Sequence, residues 1–224
     1  MSWFLPPTDG TTQGMAIYGL WMTFFWAGLG VAALVYGLIF WCLIRYRDRD
    51  GRGYAGAPKF YRNNPLEIMW TIVPLLLVAF LFVITFITEN RVDAVTRDPG
   101  VTVNVTAFRW SWRFSYPGYG ISIVGQPQQP PEMVIPADET THVVLTSSDV
   151  YHEFYVPGFL FKRDAIPGVI NQFDLSPLKP GVHRGVCAEF CGVYHTYMTF
   201  TVKVVSPREF RAWLQANRTK ERAL

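Results

Sequence analysis

The chain has 224 residues, of which half are hydrophobic and 16% are aromatic. This composition is too apolar for an ordinary soluble domain and too polar for a protein that lies wholly within a membrane. We therefore expect a membrane anchor joined to one water-facing domain of roughly a hundred residues, enough for a single core. The formal charge is only +3, and no basic run is interleaved with aromatic residues, which excludes nucleic acid as a partner.

The first predicted element is a membrane-spanning helix at residues 15–44. It is almost uncharged and is longer than the roughly 20 residues that a bilayer requires. The preceding segment, residues 1–14, has no lysine or arginine and so lacks the basic start of a secretory signal peptide. A signal that has already been removed and targeting by the first helix both fit this pattern. Cys42 lies inside the apolar run, where we expect it to act as a small hydrophobic residue.

A basic loop at residues 45–65 separates two apolar segments. Between Arg45 and Arg62 the chain has six basic and two acidic residues. Loops rich in lysine and arginine stay on the cytoplasmic side of a membrane. A second spanning helix is predicted at residues 66–89, so both termini and the remaining domain are expected on the outer side.

Glu67, at the start of the second apolar segment, has two interpretations. A carboxylate in the first turn of a helix is stabilised by the positive end of the helix dipole and remains solvated. Ionisable groups in membrane segments can also collect protons. The sequence by itself favours the first interpretation.

Residues 90–205 are predicted to form an all-β domain. Short segments of alternating polarity lie at residues 101–107, 140–145 and 199–205, with proline and glycine clusters between them. Such a pattern predicts a sandwich or a barrel. Residues 206–224 are predicted to form a helix and tail, because Ser206 and Glu209 make a capping box with proline at the first helical position.

Metal-binding side chains are concentrated near the end of the β domain. Two thiols, an imidazole and a thioether occur in one short stretch, at Cys187, Cys191, His195 and Met198. Zinc also takes cysteine and histidine, but a thioether is a poor zinc ligand and a good copper ligand. A disulfide between Cys187 and Cys191 would explain neither His195 nor Met198, and closing so short a loop gains little entropy. Copper is therefore the predicted metal.

The run CAEFCGVYHTYM at residues 187–198 resembles the binuclear copper (CuA) loop of subunit II of the haem-copper cytochrome c oxidases. The resemblance implies that Cys187 and Cys191 bridge two copper ions that share one unpaired electron. The further copper ligands that it implies are the side chains of His195 and Met198 and the backbone carbonyl of Glu189.

The same family takes a second histidine from an earlier loop. Residues 149–157 are similar to that loop, with Asp149 three positions before His152 and Val-Pro at the end. A lone histidine beside aromatic residues is more often part of a core, but a metal loop that needs one more imidazole makes His152 the candidate ligand. His142 and His183 lack this context and are predicted to be strand or surface residues.

The resemblance extends over nearly the whole chain and implies a cupredoxin-like Greek-key barrel for the outer domain. Within the aromatic run 108–116, Trp110 matches the residue that accepts the electron from cytochrome c. Arg109 stands where the family usually has a neutral residue. Residues 161–168 are similar to a segment that borders subunit I and the copper loop, although Arg163 replaces a residue that is often small.

Two carboxylates acquire roles from the same resemblance. The Glu189 side chain is implied to reach a magnesium ion shared with subunit I, a hard ligand for a hard ion. Glu67 is implied to lie at the cytoplasmic mouth of a proton channel, which makes proton uptake its favoured role. Haem is not expected on this chain, because it has no Cys-x-x-Cys-His run and its predicted membrane helices contain no histidine.

These features together predict subunit II of an aerobic cytochrome c oxidase in a bacterial plasma membrane or an equivalent energy-transducing membrane. Electrons are expected to pass from cytochrome c, soluble or membrane-attached, through two coppers to haem in subunit I. There oxygen is reduced to water with proton pumping, and subunit III is a further expected partner. A quinol-oxidase-type subunit II would lack the six ligand positions, and nitrous oxide reductase has a large additional domain without such helices. A membrane-tethered copper-binding module or chaperone is the remaining alternative.

Overall fold

A computed structural model of the chain describes residues 10–47, 61–126 and 128–221. They divide into two compact units. The helical unit is Gly19–Thr88, and the β unit combines residues up to Tyr18 with those from Glu89 onward. The central part of the predicted basic loop, residues 48–60, lies outside the described residues, as do residues 1–9 and 222–224.

The helical unit contains most of two long helices, α1 (Thr12–Arg45) and α2 (Asn64–Val92). Both are long and apolar enough to cross a membrane, and many of their large apolar side chains are exposed. The helix α1 begins before the expected position 15 because Thr11 caps it, its Oγ1 accepting the N–H of Gly14 at 2.9 Å. The helix α2 extends beyond the expected 66–89 at both ends and continues through Pro74.

Glu67 lies in the first turn of α2. Its carboxylate accepts the backbone N–H of Asn63 at 3.1 Å, while the Asn63 side chain accepts the N–H of Leu66 at 3.3 Å. These reciprocal bonds satisfy N–H groups at the start of the helix that have no partner within it. They are the contacts of a helix-start carboxylate, and proton uptake at Glu67 stays a prediction.

The β unit is built from ten strands. They are β1 (Val101–Phe108), β2 (Ser111–Tyr116), β3 (Ile121–Val124), β4 (Glu132–Pro136), β5 (Thr141–Ser147), β6 (His152–Val156), β7 (Phe161–Ala165), β8 (Asn171–Leu175), β9 (Gly181–Cys187) and β10 (Thr199–Val205). Two five-stranded sheets result, with strand orders β3-β2-β1-β5-β8 and β4-β10-β9-β6-β7. The three alternating segments identified in the sequence correspond to β1, β5 and β10, which confirms the predicted all-β domain.

The core of the β unit lies between the two sheets and is mainly aromatic. Alternate side chains of β2, including Trp112 and Tyr116, are fully buried on its inner face. Phe200 of β10 contacts Trp112 with 5.1 Å between ring centroids and stacks on Phe154 of β6 at 4.6 Å. A Cβ at Gly185 would lie only 2.1 Å from the Phe200 ring, so β9 needs glycine there. These contacts fix β6, β9 and β10, the strands that adjoin the metal-binding residues.

The start of α1 is part of the β unit. Thr12 donates its backbone N–H to the carbonyl of Ser176 at 3.1 Å, and the N–H of Ser176 bonds to the side-chain carbonyl of Gln13 at 3.1 Å. A Cβ at Gly14 would lie 2.5 Å from the carbonyl oxygen of Phe159, so the backbone approaches too closely for any other residue. Residues that follow α2 are held similarly, since Thr96 donates its N–H to a buried carboxylate of β8 at 2.7 Å.

The helix α3 (Pro207–Glu221) closes the chain and packs on the β unit. Ser206 and Glu209 form the predicted capping box: the N–H of Ser206 bonds to Glu209 Oε2 at 2.9 Å, and the N–H of Glu209 bonds to Ser206 Oγ at 3.3 Å. Phe210 is buried, and Trp213 meets Tyr116 edge to face at 5.0 Å between ring centroids. The cap therefore sets where this amphipathic helix starts, and its aromatic face covers the core.

Tyr116 provides a test of this packing. Its hydroxyl accepts the N–H of Val134 and donates to the carbonyl of the same residue, both at 2.8 Å, which joins the two sheets. We expect Tyr116→Phe to lower the free energy of unfolding by about 1–3 kcal/mol, because two buried backbone groups lose their partner. Calorimetry of the detergent-solubilised chain would measure the change. Tyr61→Phe, at an exposed position, is the matched control and should leave stability unaltered.

Candidate metal centre

The metal-binding loop connects two paired strands. Cys187 is the last residue of β9, Met198 directly precedes β10, and the N–H of Cys187 bonds to the carbonyl of Met198 at 2.9 Å. Within the loop Gly192 has a φ of +120°, a conformation that only glycine adopts readily, and its carbonyl accepts the N–H of His195 at 3.0 Å. The pairing of β9 with β10 thus brings the two ends of the loop together, and the turn at Gly192 folds the middle of the loop.

Donor atoms of the two cysteines meet at the centre of this loop. The sulfur atoms of Cys187 and Cys191 are 3.9 Å apart. Cys191 Sγ lies 3.5 Å from Nδ1 of His195 and 3.7 Å from the thioether sulfur of Met198. The backbone carbonyl oxygen of Glu189 lies 3.2 Å from Cys187 Sγ, while the Glu189 side chain is exposed. The structure therefore brings together the five ligands expected from this loop.

The sixth expected ligand, His152, comes from another strand. It is the first residue of β6, is fully buried, and places Nδ1 3.8 Å from Cys187 Sγ. Potential ligand atoms of His152, Cys187 and Cys191 all lie within 4.8 Å of one another. His142 lies on β5 and His183 on β9, as expected for strand residues, and His142 Nδ1 is 2.8 Å from a carboxylate oxygen of Asp174.

Asp149 orients His152, a role that no pattern in the sequence indicated. Its Oδ1 lies 2.9 Å from His152 Nε2, and its Oδ2 accepts the backbone N–H of Arg109 at 2.7 Å. An ionised carboxylate only accepts hydrogen bonds, so neutral His152 carries its proton on Nε2 and directs the Nδ1 lone pair toward Cys187. Burial alone would raise the pKa of Asp149, but the hydrogen bonds from His152 and two backbone N–H groups lower it to about 2.

The chemistry of the donor set fits a bound cation. Burial raises the pKa of the Cys191 thiol to about 12, with a further contribution from neighbouring Cys187. Two adjacent thiolates are therefore unfavourable here unless a metal ion compensates their charge. The fully buried thioether of Met198 adds a ligand that copper accepts and zinc does not favour. Sulfur and imidazole donors at these distances fit copper.

Trp110 contacts the metal loop directly. It follows β1, is half-buried, and donates its indole N–H to the backbone carbonyl of Cys191 at 3.2 Å. Its ring meets Tyr194 edge to face, with 5.0 Å between centroids. A Cβ at Gly192 would lie 3.2 Å from Trp110 Nε1, so glycine also allows this close approach. Trp110 was predicted from a resemblance, whereas no local pattern in the sequence pointed to Tyr194.

The segment after β6 is held by an ion pair and a hydrogen bond within the β unit. Arg163 of β7 pairs with Asp93, which follows α2, at 2.5 Å. The backbone carbonyl of Asp164 accepts the side-chain N–H of Asn171 at 2.7 Å. Arg163, a departure from the family pattern, thus ties β7 to the residues that lead out of the second helix.

A β-sandwich that gathers two thiols, two imidazoles and a thioether, on a chain with two apolar helices, defines a membrane-anchored copper protein. The sequence models of cytochrome c oxidase subunit II match this chain at residues 12–87 for the transmembrane domain and at residues 127–205 for the periplasmic domain. The chain belongs to the cytochrome c oxidase subunit II family. It is therefore a membrane protein with a periplasmic domain and part of an oxidoreductase complex.

Individual relatives agree with this assignment. The chain is 35% identical to the probable cytochrome c oxidase subunit 2 of Streptomyces avermitilis, over 93% of this chain and 77% of the relative. It is 30% identical to cytochrome c oxidase subunit 2 of Mycobacterium tuberculosis, over 88% and 70%. The crystal structure of the periplasmic domain of subunit II of the Bradyrhizobium japonicum cytochrome oxidase is 30% identical and matches with a TM-score of 0.51, covering 56% of this chain and 99% of that domain.

The contact between Asp149 and His152 can be tested by Asp149→Asn. We expect copper to bind about 10–100-fold more weakly, because the amide no longer holds the imidazole in one orientation. Competition of the purified chain against a copper chelator would measure the affinity. Asp138→Asn is the matched control at an exposed turn. An affinity within twofold of the unmodified chain in Asp149→Asn would show that His152 is held by its packing alone.

Proposed function

We propose that this chain is the electron-accepting subunit of an aerobic terminal cytochrome c oxidase. It receives electrons from cytochrome c and delivers them to haem in subunit I, where oxygen is reduced to water with proton pumping. The observation that carries the proposal is the convergence of His152 from β6 with the sulfur and imidazole donors of the 187–198 loop. A quinol-oxidase-type subunit would not need this donor set.

Six groups would hold a pair of copper ions in this proposal. They would be the sulfur atoms of Cys187, Cys191 and Met198, the imidazoles of His152 and His195, and the backbone carbonyl of Glu189. When bound, the pair supplies reversible one-electron chemistry with the charge shared between two metals. The chain keeps these ligands from moving, through the Cys187–Met198 backbone bond and the buried packing of Met198. Small ligand movement favours fast electron transfer, since less rearrangement accompanies each change of charge.

Trp110 would accept the electron from the donor protein. Support comes from its position, because its indole bonds to the backbone of Cys191 while part of the ring reaches the surface. One hydrogen bond therefore separates the surface aromatic residue from a cysteine ligand. Trp112, next but one in sequence, lies 6.3 Å from the His152 ring but is fully buried, which suits it for packing rather than for contact with a donor.

Both chain ends and the β unit would face the outer side of a bacterial plasma membrane or an equivalent membrane. The start of α1 and the residues after α2 each bond within the β unit, which supports entry of both helices from the same side. Residues 15–44 and 66–89 would span the bilayer, residues 45–65 would be cytoplasmic, and residues 90–205 would form the copper domain. Subunits I and III would surround the helices.

Two carboxylates complete the proposal. The exposed side chain of Glu189 would bind a magnesium ion shared with subunit I, while its backbone carbonyl faces the cysteines. Glu67 would collect protons at the cytoplasmic side for a channel into subunit I. Its position in the first turn of α2, where it is only partly buried, supports access to water.

The bridging cysteines give the central test. We expect Cys187→Ser or Cys191→Ser to abolish the near-infrared absorption and the seven-line electron resonance pattern of a shared electron, and with them turnover on cytochrome c. A hydroxyl does not replace a bridging thiolate, which explains the expected loss. Cys42→Ser, in α1, is the control and should retain both. If a cysteine variant kept its turnover without the resonance pattern, electrons would take another route. If the unmodified chain bound a single Cu(I) ion, the function of a copper chaperone would be favoured.

Trp110→Phe separates electron transfer from metal binding. We expect turnover with cytochrome c to fall at least about tenfold, because the residue that contacts both the surface and the cysteine backbone is replaced by one without the indole N–H. The copper absorption spectrum should be unchanged, since Trp110 is not a ligand. Stopped-flow reduction of the complex by cytochrome c would measure the rate. If Trp110→Phe lost the copper absorption spectrum, the role of Trp110 would be to support the structure of the metal loop.

A further inference from the structure

Three side chains connect the protein surface to the candidate metal centre. Arg109 pairs with Asp149, with 3.3 Å between Nε and Oδ2, and the other carboxylate oxygen of Asp149 lies 2.9 Å from Nε2 of His152. The exposed fraction of the side chain falls from 48% at Arg109 to 24% at Asp149 and to 0% at His152. A positive charge at the surface is thus separated from a proposed copper ligand by one carboxylate.

Backbone groups fix the position of this carboxylate. Oδ2 of Asp149 accepts the backbone N–H of Arg109 at 2.7 Å, and Oδ1 accepts the backbone N–H of Val150, also at 2.7 Å. Both bonds remain when the side chain at position 109 is replaced. The guanidinium of Arg109 therefore adds charge to a carboxylate that the backbone already holds in place.

Trp110 is also held by groups other than the Arg109 side chain. Its indole N–H bonds to the backbone carbonyl of Cys191 at 3.2 Å, and its ring meets Tyr194 edge to face. The bond from the backbone N–H of Arg109 to Asp149 fixes the start of the same segment. Replacing the guanidinium should consequently leave both His152 and Trp110 in place.

The charge of Asp149 acts on the site to which His152 belongs. Reduction adds one electron to that site and lowers its total charge by one unit, with no bond broken and no proton moved. By Coulomb's law a negative charge beside a ligand favours the oxidised, more positive state and lowers the reduction potential, whereas a positive charge raises it. Groups that bond to a ligand are known to tune a metal in this way. Because His152 is fully buried, water screens little of the effect at its end of the network.

We propose that the Arg109 guanidinium raises the reduction potential of the copper centre by offsetting the negative charge of Asp149. The proposal rests on the proposed function, which makes His152 a copper ligand. It adds a residue that acts on the metal through Asp149 and sets the driving force of electron transfer. A centre of higher potential takes an electron from its donor more readily and passes it to haem less readily.

The test is the reduction potential of the copper centre in the intact oxidase complex. Its near-infrared absorption is recorded while small soluble mediators set the applied potential, so the equilibrium does not depend on docking of a cytochrome. For Arg109→Gln we expect the ratio of oxidised to reduced centre at a fixed applied potential to rise about threefold. A tenfold change corresponds to about 59 mV for one electron, so the potential should fall by about 30 mV. The change is moderate because water screens a half-exposed guanidinium.

Two further variants separate charge from structure. Arg109→Lys keeps the positive charge, and its ratio should stay within about twofold of the unmodified complex. Arg208→Gln is the matched control, because it removes the same charge from an exposed position of α3, which packs on β3 and β4. Its ratio should be unaltered. The seven-line electron resonance pattern should be the same in all three variants, since the proposed ligands stay in place.

Three outcomes would overturn the proposal alone. The first is a ratio in Arg109→Gln that equals that of the unmodified complex. The second is an equal rise in Arg109→Lys and Arg109→Gln, because the contact rather than the charge would then set the potential. The third is a changed resonance pattern in Arg109→Gln, which would make Arg109 a support of the ligands.

Failure of the proposed function would look different. In that case the unmodified complex would lack both the near-infrared absorption and the resonance pattern before any variant is compared. The proposed function and the role of Arg109 would then be overturned together.

Discussion

The pairing of β9 with β10 determines where the proposed metal ligands of the loop lie. Because Cys187 ends one strand and Met198 precedes the other, their backbone bond closes the metal loop at its base. The ends of the loop cannot separate unless the sheet itself breaks. Donor atoms of the site consequently lie close together, those of His152, Cys187 and Cys191 within 4.8 Å of one another. A site that is held by a sheet changes little when its charge changes.

The aromatic core extends this constraint to the strands that flank the loop. Phe200 lies between Trp112 and Phe154, so it connects β10 with β2 and β6. His152 begins β6 and is thereby positioned by the same packing, while Asp149 sets the orientation of its ring. The Asp149 carboxylate also holds the backbone of Arg109, the neighbour of Trp110. One side chain thus links a proposed metal ligand to the segment proposed to receive electrons.

Local patterns in the sequence predicted the parts of this structure that depend on neighbouring residues. Continuous apolar runs indicated the two helices, alternation indicated β1, β5 and β10, and one loop contained most of the ligands. Such local patterns do not predict contacts between residues that are far apart in the sequence. His152 and Cys187 are 35 residues apart, so His152 was predicted as a ligand only through a resemblance. Arg109 and Asp149 are 40 residues apart, and the role of the Asp149 carboxylate was not predicted. The helices α1 and α2 also begin earlier than predicted, because side-chain caps rather than hydrophobicity determine where a helix starts.

The attachment of Gln13 to Ser176 joins residues that are 163 positions apart. During synthesis the beginning of the chain therefore has no partner for this bond until Ser176, which follows β8, has been made. Because both hydrogen bonds of this attachment belong to the β unit, a shift of the first turn of α1 along its axis would break its contacts with Ser176.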